Sequence, residues 1–225
     1  MTFSIVARCR RTGQLGVAAA TELPAVGKLL AYAAPGAGAV ATQGTVNPYL
    51  GIDGVRMLAG GRAAAGEALR EVLARDPAPG RRQLAMVDRA GRVAQWTGAG
   101  CGGWAGERRG DGFAAQGNLL AGPQVLQAAM GRMAAMGERP LVERLLAALE
   151  AGEAAGGDRR GTRSAAVLVV GTEEYPLWDA RVDEHPRPLE ELRRLLDVFR
   201  RDLVPLVGRM PRRAGGGYTA GGAPD

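Results

Sequence analysis

Threonine stands at position 2, directly after the initiator methionine, where it could carry out hydrolytic chemistry. Initiator methionine is normally removed when the next side chain is small, and removal would give Thr2 a free α-amino group. Such an amine has a pKa of roughly 7.7 to 8.0 and can act as a base near neutral pH. It could take the proton from the hydroxyl of the same residue, which would then supply nucleophile and base together. The alternative is an ordinary threonine that begins a strand.

Other side chains that often carry hydrolytic chemistry are scarce. His185 is the only histidine, so a Ser-His-Asp or Cys-His system would depend on it, and histidine-rich metal sites are excluded. Its position between Glu184 and Pro186 favours a polar turn residue. Cys9 and Cys101 form no CxxC pair, which argues against a zinc site or a disulfide framework. We interpret Cys101 as a buried structural thiol, because no base or cation stands beside it in the sequence.

A glycine-rich segment at 98–103 (GAGCGG) superficially resembles a dinucleotide-binding loop. A hairpin is predicted before this segment and no helix clearly opens after it, so its surroundings do not support nucleotide binding. We therefore expect neither a cofactor nor a metal ion.

Composition places the chain among folded proteins with an ordinary core. It has 225 residues, of which 46% are hydrophobic, and this length fits one large domain. The net charge of +6 comes from arginines scattered along the chain, with a small cluster at Arg209, Arg212 and Arg213. Few aromatic residues lie near that cluster and no nucleic-acid-binding signature is present, so no nucleic-acid partner is expected. Because no apolar run has the length of a signal peptide or a membrane span, we expect a cytoplasmic protein without a membrane partner.

Local patterns predict alternating groups of strands and helices. Alternating or β-branched runs predict strands at 2–9, 15–21, 37–43, 83–88, 92–97, 113–116, 164–171 and 177–183. Apolar spacing predicts helices beginning near Pro48, at 64–75, 123–136 and 140–151, and beginning at Pro188. A loop is expected at 98–112. Hairpins dominate over βαβ units, which indicates antiparallel sheets covered by helices. We expect one domain over 1–209 and a disordered tail rich in Gly, Pro and Arg over 210–225.

Six segments stand out in order along the chain: 2–8 (TFSIVAR), 38–43 (GAVATQ), 98–101 (GAGC) with 104–106 (WAG), 116–122 (QGNLLAG), 156–161 (GGDRRG) and 181–186 (RVDEHP). Together they resemble the DUF1028 family, a group of uncharacterised bacterial and archaeal proteins assigned to the N-terminal nucleophile (Ntn) hydrolase superfamily. The resemblance extends to about Phe199. It implies an α+β fold, a four-layer αββα sandwich in which two antiparallel sheets lie between helix layers. It also makes Thr2 the expected nucleophile of an amidohydrolase that cleaves a small amide or peptide-like substrate.

The remaining roles are inferred from what such an enzyme needs. Donors must point at the tetrahedral oxyanion, and Asn118, in a turn after Gly117, and Gln43, at a strand end, suit that role. The alternative for both is capping of a turn or strand. Asp158 and Arg159 precede the strand at 164–171 and could orient the terminal amine or bind substrate. Their alternative role is a local ion pair that holds the turn.

Three residues depart from the family's pattern. Cys9 stands where an acidic residue usually ends the first strand, and Trp96 and Glu107 stand where histidine is expected in many members. These departures would alter specificity or weaken activity.

A second function is also consistent with the sequence. A non-catalytic binding or scaffold protein would retain the sandwich and hold an anionic metabolite or a partner through Arg159 and Arg163. Homo-oligomers are expected for either function, because such sandwiches often associate.

Overall fold

Two stacked antiparallel sheets form the centre of the molecule. The computed structural model describes residues 2–61 and 63–213; most of the predicted tail, residues 214–225, lies outside them. The strands within the described residues are β1 (Thr2–Arg8), β2 (Leu15–Thr21), β3 (Ala31–Ala34), β4 (Gly38–Gly44), β5 (Arg82–Asp88), β6 (Val93–Thr97), β7 (Trp104–Gly110), β8 (Phe113–Leu120), β9 (Ser164–Val170) and β10 (Trp178–Val182). The helices are α1 (Val26–Leu29), α2 (Pro48–Ala59), α3 (Ala65–Ala74), α4 (Pro123–Ala135), α5 (Leu141–Ala154), α6 (Pro188–Asp202) and α7 (Val204–Val207).

The strand order places β1 at the centre of the larger sheet. The six-stranded sheet has the order β10-β9-β2-β1-β8-β7, and the four-stranded sheet has the order β3-β4-β5-β6. All these pairings are antiparallel, and β1 is bonded to β2 on one side and to β8 on the other. The backbone of Thr2 is therefore held between two neighbouring strands, opposite Thr21 and Asn118.

Alternation along β1 divides its side chains between two layers. Phe3 and Ile5 pack into the core beneath α4, α5 and α6, whereas Val6 packs into the core between the two sheets. A third core joins the four-stranded sheet to α2 and α3 through residues such as Leu69 and Met86. Fully burying one such side chain contributes about 1.5–3 kcal/mol. The order of layers is helix, sheet, sheet, helix, which confirms the predicted four-layer αββα sandwich.

Several predicted elements differ in the structure. The predicted loop at 98–112 contains β7, an edge strand that tolerates glycine and charged residues because one side of it faces solvent. Asn118 lies within β8 rather than in a turn, since β8 continues past Gly117 to Leu120. The short strand β3 and the single-turn helix α1 were not predicted. Four residues of alanine and tyrosine carry too weak a pattern to indicate a strand.

Candidate functional site

Thr2 begins the central strand β1, and its hydroxyl meets a second threonine. Thr2 Oγ1 lies 3.0 Å from Thr21 Oγ1 on β2, and either hydroxyl can donate in this bond. The backbone N–H of Leu23 also donates to Thr21 Oγ1, at 3.4 Å. Thr2 is half-buried, whereas Thr21 is buried. The strand pairing thus fixes the Thr2 hydroxyl at the end of the sheet while leaving part of the residue accessible.

Gln43 connects the two sheets directly beneath Thr2. Its Nε2 donates to the carbonyl oxygen of Thr2 at 3.0 Å and to Oε1 of Gln83 at 2.7 Å. Its Oε1 accepts a hydrogen bond from Ser4 Oγ at 2.7 Å. Because a carboxamide nitrogen carries two hydrogens, both donors of Gln43 are already used. In this arrangement Gln43 positions the Thr2 backbone, and it could serve an oxyanion only by breaking one of these bonds.

Asn118 pairs with Thr2 across β1 and β8 and is 5% exposed. Its Nδ2 donates to Gln83 Oε1 at 3.0 Å, and the described residues leave its second N–H hydrogen for another acceptor. The next residue, Leu119, has a positive φ of 56°, and its N–H donates to the carbonyl oxygen of Gly102. This left-handed conformation costs a residue with a side chain roughly 1 kcal/mol or more. Strain next to Asn118 is typical of a segment whose position serves a function.

Gln83 on β5 joins the two predicted donors. Its Oε1 accepts from both Gln43 and Asn118, and its Nε2 lies within 3.1 Å of Thr97 Oγ1 and of the carbonyl oxygens of Gly106 and Gly117. The residue is fully buried. Gln83 was not predicted from the sequence, although one signal was present. It alternates with Ala85 and Val87, so its side chain had to face the space between the sheets.

Asp158 reaches the same end of the sheet, but its partner is not the predicted one. Asp158 is buried, accepts from the backbone N–H of Glu22 at 3.1 Å, and forms an ion pair with Arg160. Arg160 also contacts Glu22, at 3.0 Å. Arg159 is exposed. The local ion pair expected between Asp158 and Arg159 instead forms between Asp158 and Arg160. Since Glu22 follows Thr21 directly, Asp158 holds the segment that leaves β2 beside Thr2.

Two other candidates have structural roles. His185 Nδ1 accepts from the backbone N–H of Arg187, which places it in the turn before α6 as predicted. Cys101 is half-buried, not fully buried as expected, and its Sγ lies 3.5 Å from the carbonyl oxygen of Arg82. Burial raises the pKa of the Cys101 thiol, although a hydrogen bond with the Gly98 backbone opposes the effect. A thiol with a raised pKa is a poor source of the nucleophilic thiolate.

Of the three departures from the family's pattern, Glu107 lies near this region, whereas Cys9 follows the far end of β1. Glu107 accepts a hydrogen bond from Thr97 Oγ1 at 2.9 Å and so adjoins the Gln83 cluster. Trp96 is 40% exposed, and its ring N–H donates to the carbonyl oxygen of Pro79.

Within the described ranges, no three His, Cys, Asp or Glu side chains are grouped so that they could hold a metal ion. In the same part of the chain, no helix has the length and apolar character needed to cross a membrane.

Comparison with known proteins identifies the family. The model of DUF1028, a family of unknown function, matches residues 2–192. The crystal structure of protein SPO2555 from Silicibacter pomeroyi, assigned to DUF1028, is 30% identical with a TM-score of 0.88, and the match covers 99% of this chain and 97% of that one.

A more distant structural match is Anbu (ancestral beta-subunit) from Yersinia bercovieri. It is 15% identical with a TM-score of 0.42, over 88% of this chain and 97% of that chain. No curated protein matches the chain. The family model and the crystal structure together show that the chain belongs to the DUF1028 family.

Proposed function

We propose that the protein is an N-terminal-nucleophile amidohydrolase in which Thr2, freed by removal of Met1, attacks a small amide or peptide-like substrate. The observation that carries the proposal is the position of the Thr2 hydroxyl, 3.0 Å from Thr21 Oγ1 at the end of the central strand. The Gln43 bond to the Thr2 carbonyl oxygen supports it, because a nucleophile must be held in a fixed geometry. The four-layer sandwich agrees with the architecture that the Ntn superfamily implies.

The proposed reaction proceeds through an ester. The α-amine of Thr2 takes the hydroxyl proton while Oγ1 attacks the amide carbon, and a tetrahedral oxyanion forms. The C–N bond then breaks, and the amine product leaves with the proton. A water molecule attacks the acyl-Thr2 ester in the second half, which releases the carboxylic acid and restores the hydroxyl. In each half the α-amine passes on the proton that it takes, first from the hydroxyl to the leaving amine and then from the attacking water to Thr2 Oγ1, so no external cofactor is required.

Because the described residues leave one hydrogen of the Asn118 carboxamide without an acceptor, Asn118 is the better oxyanion donor of the two predicted residues. Such a donor stabilises charge that appears only in the transition state, and its loss typically costs roughly 10²–10³ in rate. Gln43 is assigned a positioning role because both its donors are used. Asp158 is assigned the role of holding the segment that follows Thr21, rather than of binding substrate. Arg159 is exposed on the same turn and remains a candidate for binding substrate.

The alternative is a non-catalytic protein that binds an anionic metabolite through Arg159 and Arg163. The exposure of Arg159 favours this function, but Arg163 is paired with Glu184 at 3.1 Å. A binding protein would also have no need for buried carboxamides that hold the Thr2 backbone. Thr2→Ala separates the two functions, since only hydrolysis requires the hydroxyl.

Turnover of an amide library, followed by detection of released amine, tests the proposal. We expect Thr2→Ala to reduce hydrolysis to background and Thr2→Ser to retain part of it, because serine keeps the attacking hydroxyl. Thr172→Ala removes the same atoms from an exposed loop and should leave turnover unchanged. Circular dichroism would confirm that each variant is folded. Full activity in folded Thr2→Ala would rule the mechanism out.

A further inference from the structure

A cleft of about 500 Å³ opens on the helix side of the six-stranded sheet. It lies between the end of α5, the start of α6 and the turn at Gly161 and Thr162, and Thr2 is not among its lining residues. Small-molecule sites in proteins usually occupy roughly 300–1,000 Å³. The cleft therefore has the size of a ligand site and is separate from the candidate active site.

Three glutamates line this cleft, and among the described residues only one of them has no cationic partner. Glu150 is paired with Arg193, whose Nε lies 2.6 Å from Oε1, and Glu190 is paired with Arg187 at 2.9 Å. Glu153 accepts a hydrogen bond from the Thr162 hydroxyl at 2.7 Å and forms no ion pair with any described residue. Its carboxylate is thus the one uncompensated charge on the wall of the cleft within the described residues.

The surroundings of Glu153 disfavour its ionised form when no cation is bound. Burial raises the pKa of the Glu153 carboxyl and the charge of Asp158 adds to the effect, although the Thr162 hydrogen bond opposes it. Gly157 leaves room for the group, since a Cβ at that position would lie only 2.2 Å from Glu153 Oε2. A half-buried charge without a counter-ion is unfavourable unless something binds to it.

We propose that this cleft binds a small organic ammonium compound whose charged nitrogen pairs with Glu153. The apolar surfaces of Ala154, Pro186 and Pro188 would contact the body of the ligand. Thr162 holds one carboxylate oxygen in place and leaves the other for the ammonium group. Anionic compounds would be repelled by the uncompensated charge of Glu153, because the other two carboxylates of the cleft are paired with arginines. The proposal does not depend on the activity of Thr2.

Titration calorimetry at neutral pH with three amines, each matched with its alcohol, tests this proposal. The pairs are butylamine with butanol, cyclohexylamine with cyclohexanol, and phenethylamine with phenethyl alcohol. We expect at least one amine to bind saturably and roughly tenfold or more tightly than its alcohol. Equal binding of amine and alcohol in all three pairs, or no binding of any amine, would overturn it.

Glu153→Gln is the decisive variant because it removes the charge and keeps the shape of the side chain. We expect it to weaken amine binding roughly tenfold or more, while its melting temperature stays the same or rises. Glu71→Gln changes the net charge equally on an exposed face of α3 and should bind amine like the unaltered protein. Amine affinity that is unchanged in folded Glu153→Gln would contradict the assignment of the site.

Discussion

The two ends of the layer between the sheets are built from different kinds of side chain on the same strands. At one end, β1, β2, β4 and β5 contribute aliphatic residues such as Val6, Val17 and Ala41. At the end that contains Thr2, the same strands and β8 contribute hydroxyl and carboxamide groups, namely Ser4, Gln43, Gln83, Gln116 and Asn118. Both ends are buried, so the difference is one of chemistry rather than of exposure.

The aliphatic end mainly stabilises the fold, whereas the polar end fixes the positions of the groups around Thr2. Aliphatic contacts are non-directional and stabilise whatever arrangement fills the space. Buried carboxamides require partners at fixed distances and angles, and a group left without one costs about 1–3 kcal/mol. Gln116 illustrates the cost, because its Oε1 is buried with no hydrogen-bond partner among the described residues. A chain that keeps such groups beside Thr2 gives up stability for a defined geometry, as functional sites often do.

The largest stability loss should come from the aliphatic end. Leu15 is 1% exposed and packs between the sheets, so Leu15→Ala would leave a cavity. We expect the free energy of unfolding, measured in urea, to fall by about 2–5 kcal/mol. Thr2-dependent hydrolysis should be unchanged wherever the variant is folded. A loss below about 1 kcal/mol would show that this end is not the main source of stability.

Gln83→Leu should lower both stability and activity. It removes the acceptor of one of the two Gln43 Nε2 hydrogens and the acceptor of Asn118 Nδ2, so we expect a loss of about 1–3 kcal/mol in the free energy of unfolding. Hydrolysis should also slow, because both groups that flank Thr2 lose their anchor.

Gln95→Leu provides the matched control. Gln95 is equally a buried glutamine of the four-stranded sheet, and it donates to the Ala115 carbonyl oxygen at 2.8 Å without touching Gln43 or Asn118. We expect a similar loss of stability with hydrolysis retained. If both variants reduce hydrolysis by the same factor, Gln83 has no specific role in positioning.

The smallest expected effect is on how stability depends on pH, and it involves Asp76 at the rim of the polar end. Burial acts to raise the pKa of Asp76, but hydrogen bonds from Asn47 and Ala78 and the ion pair with Arg82 outweigh it and lower that pKa. A carboxyl whose folded pKa lies below its unfolded value of about 3.9 stabilises the fold above that value. The stabilising contribution of Asp76 is lost as the pH falls through the pKa of this carboxyl in the folded protein.

Thermal unfolding measured from neutral to acid pH checks this prediction. The melting temperature of the unaltered protein should fall below about pH 4, and Asp76→Asn should show a weaker dependence on pH in the same range. The apolar cluster that contains Leu15 consists of alanine, valine and leucine, which do not titrate, so Leu15→Ala should keep the dependence of the unaltered protein. Identical profiles for Asp76→Asn and the unaltered protein would contradict the role of Asp76.

Sequence patterns predicted the elements whose signal is local. The alternation in β1 and β2, and the apolar spacing of α4 and α5, were strong enough to give bounds close to those observed. Local signals failed at β7, where glycine and arginine indicate a loop but the edge of a sheet accepts them. They failed again at Asn118, since Gly117 before it indicates a turn and only pairing with β1 extends the strand.

The arrangement of the candidate site was predicted only in part, because its residues meet through tertiary contacts. Thr2, Gln43 and Asn118 were named from position and resemblance, and the structure brings all three to one end of the sheet. Their common partner Gln83 is far from them in sequence and has no motif of its own. The ion pair of Asp158 shows the same limit, because it forms with Arg160 rather than Arg159 and the direction of a side chain in a turn depends on what surrounds it.

The most direct test is the mass of the N-terminal peptide from protein purified from its own host, before and after treatment with a β-lactone that acylates reactive hydroxyls. We predict a peptide that begins at Thr2 and a single acyl adduct on the Thr2 side chain. A peptide that retains Met1, or an adduct confined to other residues, would contradict the proposed nucleophile.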